Sequence, residues 1–142
     1  MTGVEASLLA PQERFSVAAI TDMVDRFYTA IREDPLLGPP FATRIESWSI
    51  HLPRMVTFWR SILRRDPGFK PGPKGPPPFI HRRFEELTLA HYERWLALFQ
   101  ATAQDVFEPA EAAHVHACAC RMADVFTAPM RGDTQRVGHF AR

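Results

Sequence analysis

The chain has 142 residues, enough for one domain that buries about two thirds of its unfolded surface. Hydrophobic residues make up 46%, far above disordered chains, and 17 Lys and Arg against 16 Asp and Glu leave a net charge of +1, which argues against a dedicated nucleic-acid binder. No apolar run reaches the length of a membrane span, and the start (MTGVEASLLAPQERF) lacks the basic residues and apolar stretch of a secretory signal, so a cytoplasmic protein with no membrane partner is expected.

Residues 1–14 read as an N-terminal extension, 15–128 as the single domain and 129–142 as a loose polar tail. The first clear element runs from about Ser16 to Glu33, where Val17, Ile20, Met23, Val24, Phe27, Tyr28 and Ile31 recur at steps of three and four. Ser16 suits the N-cap, and Asp34-Pro35 ends the pattern. In Leu37-Gly38-Pro39-Pro40-Phe41 a glycine and two prolines predict a turn. A second stripe, Trp48, His51, Leu52, Met55, Phe58, Trp59, Ile62 and Leu63, predicts a helix from about Ser47 to Arg64, with Pro53 expected to kink it or to confine regular bonding to the part beyond. Asp66 to Pro78 holds six prolines and three glycines and must be a loop. A short helical turn is expected around His81 to Leu87. Thr88 then caps a long helix to about Phe107, with Tyr92, Trp95, Leu96, Phe99, Thr102, Val106 and Phe107 inward. Pro109 opens a last helix whose stripe is Val115, Cys118, Ala119, Met122, Val125 and Phe126, stopping before Pro129. No strand signal is present, so the fold class is all-α.

Four features could carry chemistry: His51 on an apolar stripe, His81 directly after Pro77-Pro78-Phe79-Ile80, and the polar atoms of Tyr28 and Trp95 on faces that otherwise read as core. Each also has an ordinary explanation as a satisfied core residue. HVHACAC, holding His114, His116, Cys118 and Cys120, resembles a metal site, but residues two apart on a helix point about 200° apart. His114 can share a face with Cys118, and His116 with Cys120, yet two ligands do not close a structural zinc site. Two cysteines one residue apart make no disulfide framework and fit a reducing compartment. Between Arg60 and Arg83, seven basic residues (Arg60, Arg64, Arg65, Lys70, Lys74, Arg82, Arg83) face one acid, Asp66. They form either a solvated loop surface or an anion-binding zone.

Phe27-Tyr28, DPLLGPPF from Asp34 to Phe41, WSIHLPRM from Trp48 to Met55, Phe58-Trp59, His81, and Trp95 fourteen residues later occur in an order that resembles the truncated haemoglobins, specifically group III. The resemblance spans about Phe15 to Phe126. It implies a shortened globin in which two helix pairs clasp one haem b, with a largely non-helical approach to the proximal histidine; the proline-rich stretch before His81 fits that approach. By this resemblance His81 is the iron ligand, and Tyr28, His51 and Trp95 are the polar residues on the opposite, distal side. Phe41, Met55, Phe58, Trp59, Phe84 and Tyr92 are expected to contact the cofactor. The glycine-pair motifs of the other truncated-globin groups are absent.

The implied function is binding of dioxygen and other small diatomic ligands at a histidine-ligated iron. Tyr28 and Trp95, with His51 as a third donor, would stabilise a partly anionic ligand and slow its release. Slow release suits redox chemistry on the ligand, either nitric oxide oxidation or peroxide reduction served by a reductase, better than carriage. Oxygen storage or sensing without turnover, and a helical interaction domain with no cofactor, are the competing readings.

Overall fold

A computed structural model describes residues 9–69 and 87–131. Among the described residues there are six α-helices and no strand: α1 Pro11–Arg14, α2 Val17–Glu33, α3 Gly38–Arg44, α4 Trp48–Leu63, α5 Leu89–Val106 and α6 Pro109–Arg131. Most of the proline-rich segment Asp66 to Pro78, the turn expected at His81 to Leu87 and the tail beyond 131 lie outside them.

The Ser16 hydroxyl accepts the Ala19 N–H at 3.1 Å and so satisfies one of the free donors that open α2. Ile20, Met23, Val24, Phe27, Tyr28 and Ile31 are buried along one face, as their spacing predicts, each contributing about 1.5–3 kcal/mol of transfer free energy. Val17, at the first helical position, stays on the surface. The helix ends at Asp34, whose Oδ2 accepts the N–H groups of Leu36 (3.1 Å) and Leu37 (3.0 Å) in an Asx turn.

The turn expected over Leu37 to Phe41 is instead the start of α3. Gly38, Pro39 and Pro40 occupy its first turn, where backbone N–H groups have no intrahelical partner and proline costs nothing. Gly38 is required there by close approach: a Cβ would sit 2.9 Å from the Arg32 carbonyl oxygen.

Pro53 does not confine the helical bonding of α4. Ile50 and His51 already donate to the Ser47 carbonyl at 3.3 and 3.0 Å, and α4 runs through an exposed Pro53. One i→i−4 bond is forfeited on the solvent side. Within its stripe Trp59 and Leu63 are buried, Trp48, His51, Leu52, Met55 and Phe58 are half-buried, and Ile62 is exposed. At its end Arg64 donates through Nη1 to the carbonyls of Gln12 (3.1 Å) and Phe15 (2.8 Å), while Gln12 donates back to the Arg64 carbonyl at 2.7 Å. Asp66 accepts from both Arg60 and Arg64. This part of the basic cluster is therefore engaged in joining α1 to α4, and Arg14 adds an ion pair from α1 to Glu111 of α6 at 3.0 Å. Lys70, Lys74, Arg82 and Arg83 lie outside the described residues.

Thr88 is the N-cap of α5, as its sequence position predicts. On α6 the face is broader than the predicted stripe: Ala112, Cys120, Ala123 and Thr127 are buried with Val115, Cys118, Ala119 and Phe126, whereas Val125 is 49% exposed. The helix also continues past Pro129 to Arg131, since a proline in a last turn removes only one backbone bond. Helices α5 and α6 share the largest interface, and α2 packs on α5, α4 and α3. The result is two helix pairs, α2 with α4 and α5 with α6, joined through the buried face of α2.

Gly38→Ala tests that junction. A glycine-to-alanine change in an ordinary helix stabilises it by about 0.5–1 kcal/mol; here the clash with the α2 terminus is expected to destabilise by about 1–3 kcal/mol, read as a lower denaturant midpoint.

Candidate functional site

Tyr28 leaves the middle of α2 towards the first turns of α4. Its ring meets His51 edge-on at 5.1 Å and 89°, Trp48 at 5.7 Å, Phe41 of α3 at 6.3 Å and Phe27 at 5.0 Å. Trp48 stands perpendicular to His51 at 5.7 Å and carries the Arg32 guanidinium over its ring at 4.6 Å. Two candidates that are 23 positions apart in the chain, Tyr28 and His51, thus share one aromatic cluster.

Next to Phe41 the molecule opens into a small cavity of about 20 Å³ lined by Leu37, Phe41, Leu87, His91, Tyr92, Trp95 and Phe126. Its walls come from α3, α5 and α6. Three expected site residues, Phe41, Tyr92 and Trp95, line it. Trp95 packs edge-on against Phe27 at 5.7 Å and against Phe99 at 5.3 Å. Met55 and Phe58 are half-buried on α4 and are not among the lining residues. Trp59 is buried in the core against Phe99 at 4.9 Å. His81 and Phe84 lie outside the described residues. Sequence reasoning did not single out Leu37, Leu87, His91 or Phe126. For His91 a signal existed, because it precedes Trp95 by one helical turn and shares its face.

Burial sets the protonation of the site. It pushes the Tyr28 phenol far above its ordinary value and the Tyr92 phenol up to about 12, so both keep their protons at neutral pH. Asp34 holds two walls together: Oδ1 takes the Arg94 guanidinium of α5 at 2.8 Å, while Oδ2 takes the Leu36 and Leu37 amides beside α3. Burial raises this carboxyl, but Arg94 and the two amides outweigh that effect and hold it below the usual carboxylate range.

HVHACAC divides as helical geometry requires. His114 Nε2 lies 3.9 Å from the Cys118 sulfur, and His116 Nε2 lies 3.6 Å from the Cys120 sulfur. Burial lowers His116; burial, with Arg14 and Arg121 nearby, lowers His114; and burial raises the Cys118 thiol despite Arg121 donating to it at 3.2 Å. Among the described residues no group of three or more His, Cys, Asp or Glu could hold a metal ion.

The described helices have the arrangement of a truncated globin. A crystal structure of group III truncated hemoglobin from Campylobacter jejuni superposes with a TM-score of 0.76 over 86% of this chain and 96% of that one, at 22% sequence identity. No protein-family model and no curated protein sequence matches the chain. No helix among the described residues is long and apolar enough to cross a membrane.

The haem implied by the sequence resemblance can be tested against these walls. Phe41, Tyr92, Trp95 and Phe126 offer flat apolar surfaces, Leu37 and Leu87 aliphatic ones, and the Tyr92 hydroxyl, Trp95 indole and His91 imidazole a few polar atoms. A flat, apolar ring system with polar edges fits that composition.

Asp34 gives the site an acid limit. Its folded pKa is depressed, so its stabilisation is complete above the unfolded value of about 3.9 and is lost as pH falls through the lower folded value. The stability gap between wild type and Asp34→Asn is expected to be at least about 1 kcal/mol at pH 6 and to shrink below pH 4, measured by urea unfolding at each pH.

Proposed function

We propose that the chain binds one haem b between its two helix pairs, with His81 as the iron ligand, and acts on a small ligand, nitric oxide or a peroxide, with electrons from a cytoplasmic reductase. The observation that carries this reading is the cluster of Tyr28, His51 and Trp48 abutting Phe41, itself a wall of the aromatic cavity that Tyr92 and Trp95 complete, in a truncated-globin fold. The structural neighbour is named a truncated hemoglobin, which supports the same reading. When bound, haem supplies an iron with one coordination position open to a diatomic ligand and capable of one-electron redox change.

The chain's own residues set what happens around that position. Tyr28 remains a phenol across the physiological range and so remains an O–H donor. His51, edge-on to the phenol ring, and Trp48, tilted against it, pack around Tyr28 and restrict its rotation. Trp95 adds an N–H donor that never loses its proton, fixed by packing on Phe27 and Phe99. Donors with fixed positions favour a ligand that gains negative charge, because no reorganisation is needed to meet it.

The purified protein titrated with haemin is expected to give a one-to-one complex with an intense Soret band that shifts with dithionite and again with carbon monoxide. His81→Ala should abolish the native proximal bond. A colourless protein that takes up no haemin would leave a cofactor-free helical domain, and an unchanged spectrum in His81→Ala would remove that residue as the ligand. Tyr28→Phe is expected to change the dissociation rate of oxygen or of a ferric ligand about tenfold or more, the loss of one hydrogen bond to a charged partner. A change below twofold in stopped-flow kinetics would remove Tyr28 from the site.

A further inference from the structure

The N-terminal end of α5 contains a histidine whose two nitrogens have separate assignments. His91 is the third residue of the helix, and its Nδ1 accepts the backbone N–H of Thr88, the N-cap, at 3.0 Å; the Thr88 hydroxyl lies 2.9 Å from the same nitrogen. A nitrogen that accepts an amide hydrogen carries none itself, so in the neutral ring the proton is on Nε2. The capping arrangement thus fixes the tautomer and anchors one edge of the imidazole to the helix start. The same side chain lines the cavity beside the apolar Leu37, Leu87, Phe41 and Phe126, with the Tyr92 hydroxyl and the Trp95 indole as the other polar groups of the lining.

We propose that His91 is a ligand-binding residue of this cavity, donating its Nε2–H to a carboxylate on the edge of the flat cofactor. This rests on the reading of the cavity as a haem site. A haem is apolar over its faces and carries two propionate carboxylates along one edge. An N–H donor anchored at the helix start, on a wall that is mostly apolar, complements such an edge, and a hydrogen bond to an ionised acceptor is the strong kind. Tyr92, the next residue, directs its ring to Phe126 at 6.3 Å and lines the same wall, so α5 supplies both the apolar and the polar part of the contact.

The test compares haemin with its dimethyl ester, which has the same ring and no free carboxylate, in the full-length protein. In His91→Asn the side-chain oxygen falls where Nδ1 was and can still accept the Thr88 N–H, but nothing replaces Nε2. In His91→Gln an amide N–H reaches the place of Nε2. His91→Asn is expected to lose haemin to an apoglobin acceptor about tenfold faster than wild type, and the dimethyl ester within twofold of wild type, with His91→Gln restoring haemin retention to within threefold. Equal acceleration for both porphyrins, or none for either, would overturn the proposal and leave His91 a helix cap. If His91→Asn fails to fold, the haemin-to-ester retention ratios of wild type and His91→Gln still decide, because a wild-type ratio near one would equally overturn it. Wild type that takes up neither porphyrin would instead overturn the haem reading itself, and this proposal with it.

Discussion

One carboxylate, that of Asp34, joins the elements that make the cavity. It terminates α2, folds the chain back through the amides of Leu36 and Leu37, and reaches across to Arg94 on α5. Leu37 and Phe41 on one wall, and His91, Tyr92 and Trp95 on the other, are therefore held by the same charged group. Asp34 is nearly fully buried while Arg94 is half-exposed, so the pair is anchored at its acidic end. A buried carboxylate with three charge-satisfying donors is tolerated; the same carboxylate with fewer is costly. The close approach of Gly38 to the Arg32 carbonyl serves the same corner from the backbone side.

Aromatic packing continues inward from this corner. Phe27 contacts Tyr28, Trp95 and Phe99, and Phe99 in turn contacts Trp59. The candidate site and the core are one packed body, with Phe27 at their junction. Rings held edge-on by such neighbours have little rotational freedom, which limits how Tyr28 and Trp95 can turn. The far end of α4 is fastened separately, by the reciprocal bonds of Arg64 and Gln12 and by the shared Asp66. The two ends of α4 differ accordingly: Trp59 and Leu63 are buried, whereas Trp48 and His51, against Tyr28, are half-buried.

Periodicity alone gave α2, α4, α5 and α6 because a helix that buries one face must repeat its apolar residues near 3.6, and that repeat is local information. It also divided the four side chains of HVHACAC between two faces, because the angle between residues two apart is a property of the helix itself. The start of α3 is not legible from composition, because proline signals a break inside a helix and is tolerated in its first turn. Pro53 does not confine the bonding of α4, because on an exposed face the carbonyl it leaves unpaired can bond water. Family resemblance supplied an expectation that spacing could not, a shared site for Tyr28, His51 and Trp95, of which the structure brings Tyr28 and His51 into contact while Trp95 packs on Phe27 and Phe99. What only the tertiary structure decided is which faces meet: that Tyr28 lies against His51 and Trp48, that Trp59 turns into the core, that His91 reaches the cavity, and that Arg64 is taken up in holding α1. Those outcomes depend on contacts between residues far apart in the chain, as Asp34 and Arg94 are at 60 positions and Arg14 and Glu111 at 97, and no pattern within one helix specifies them.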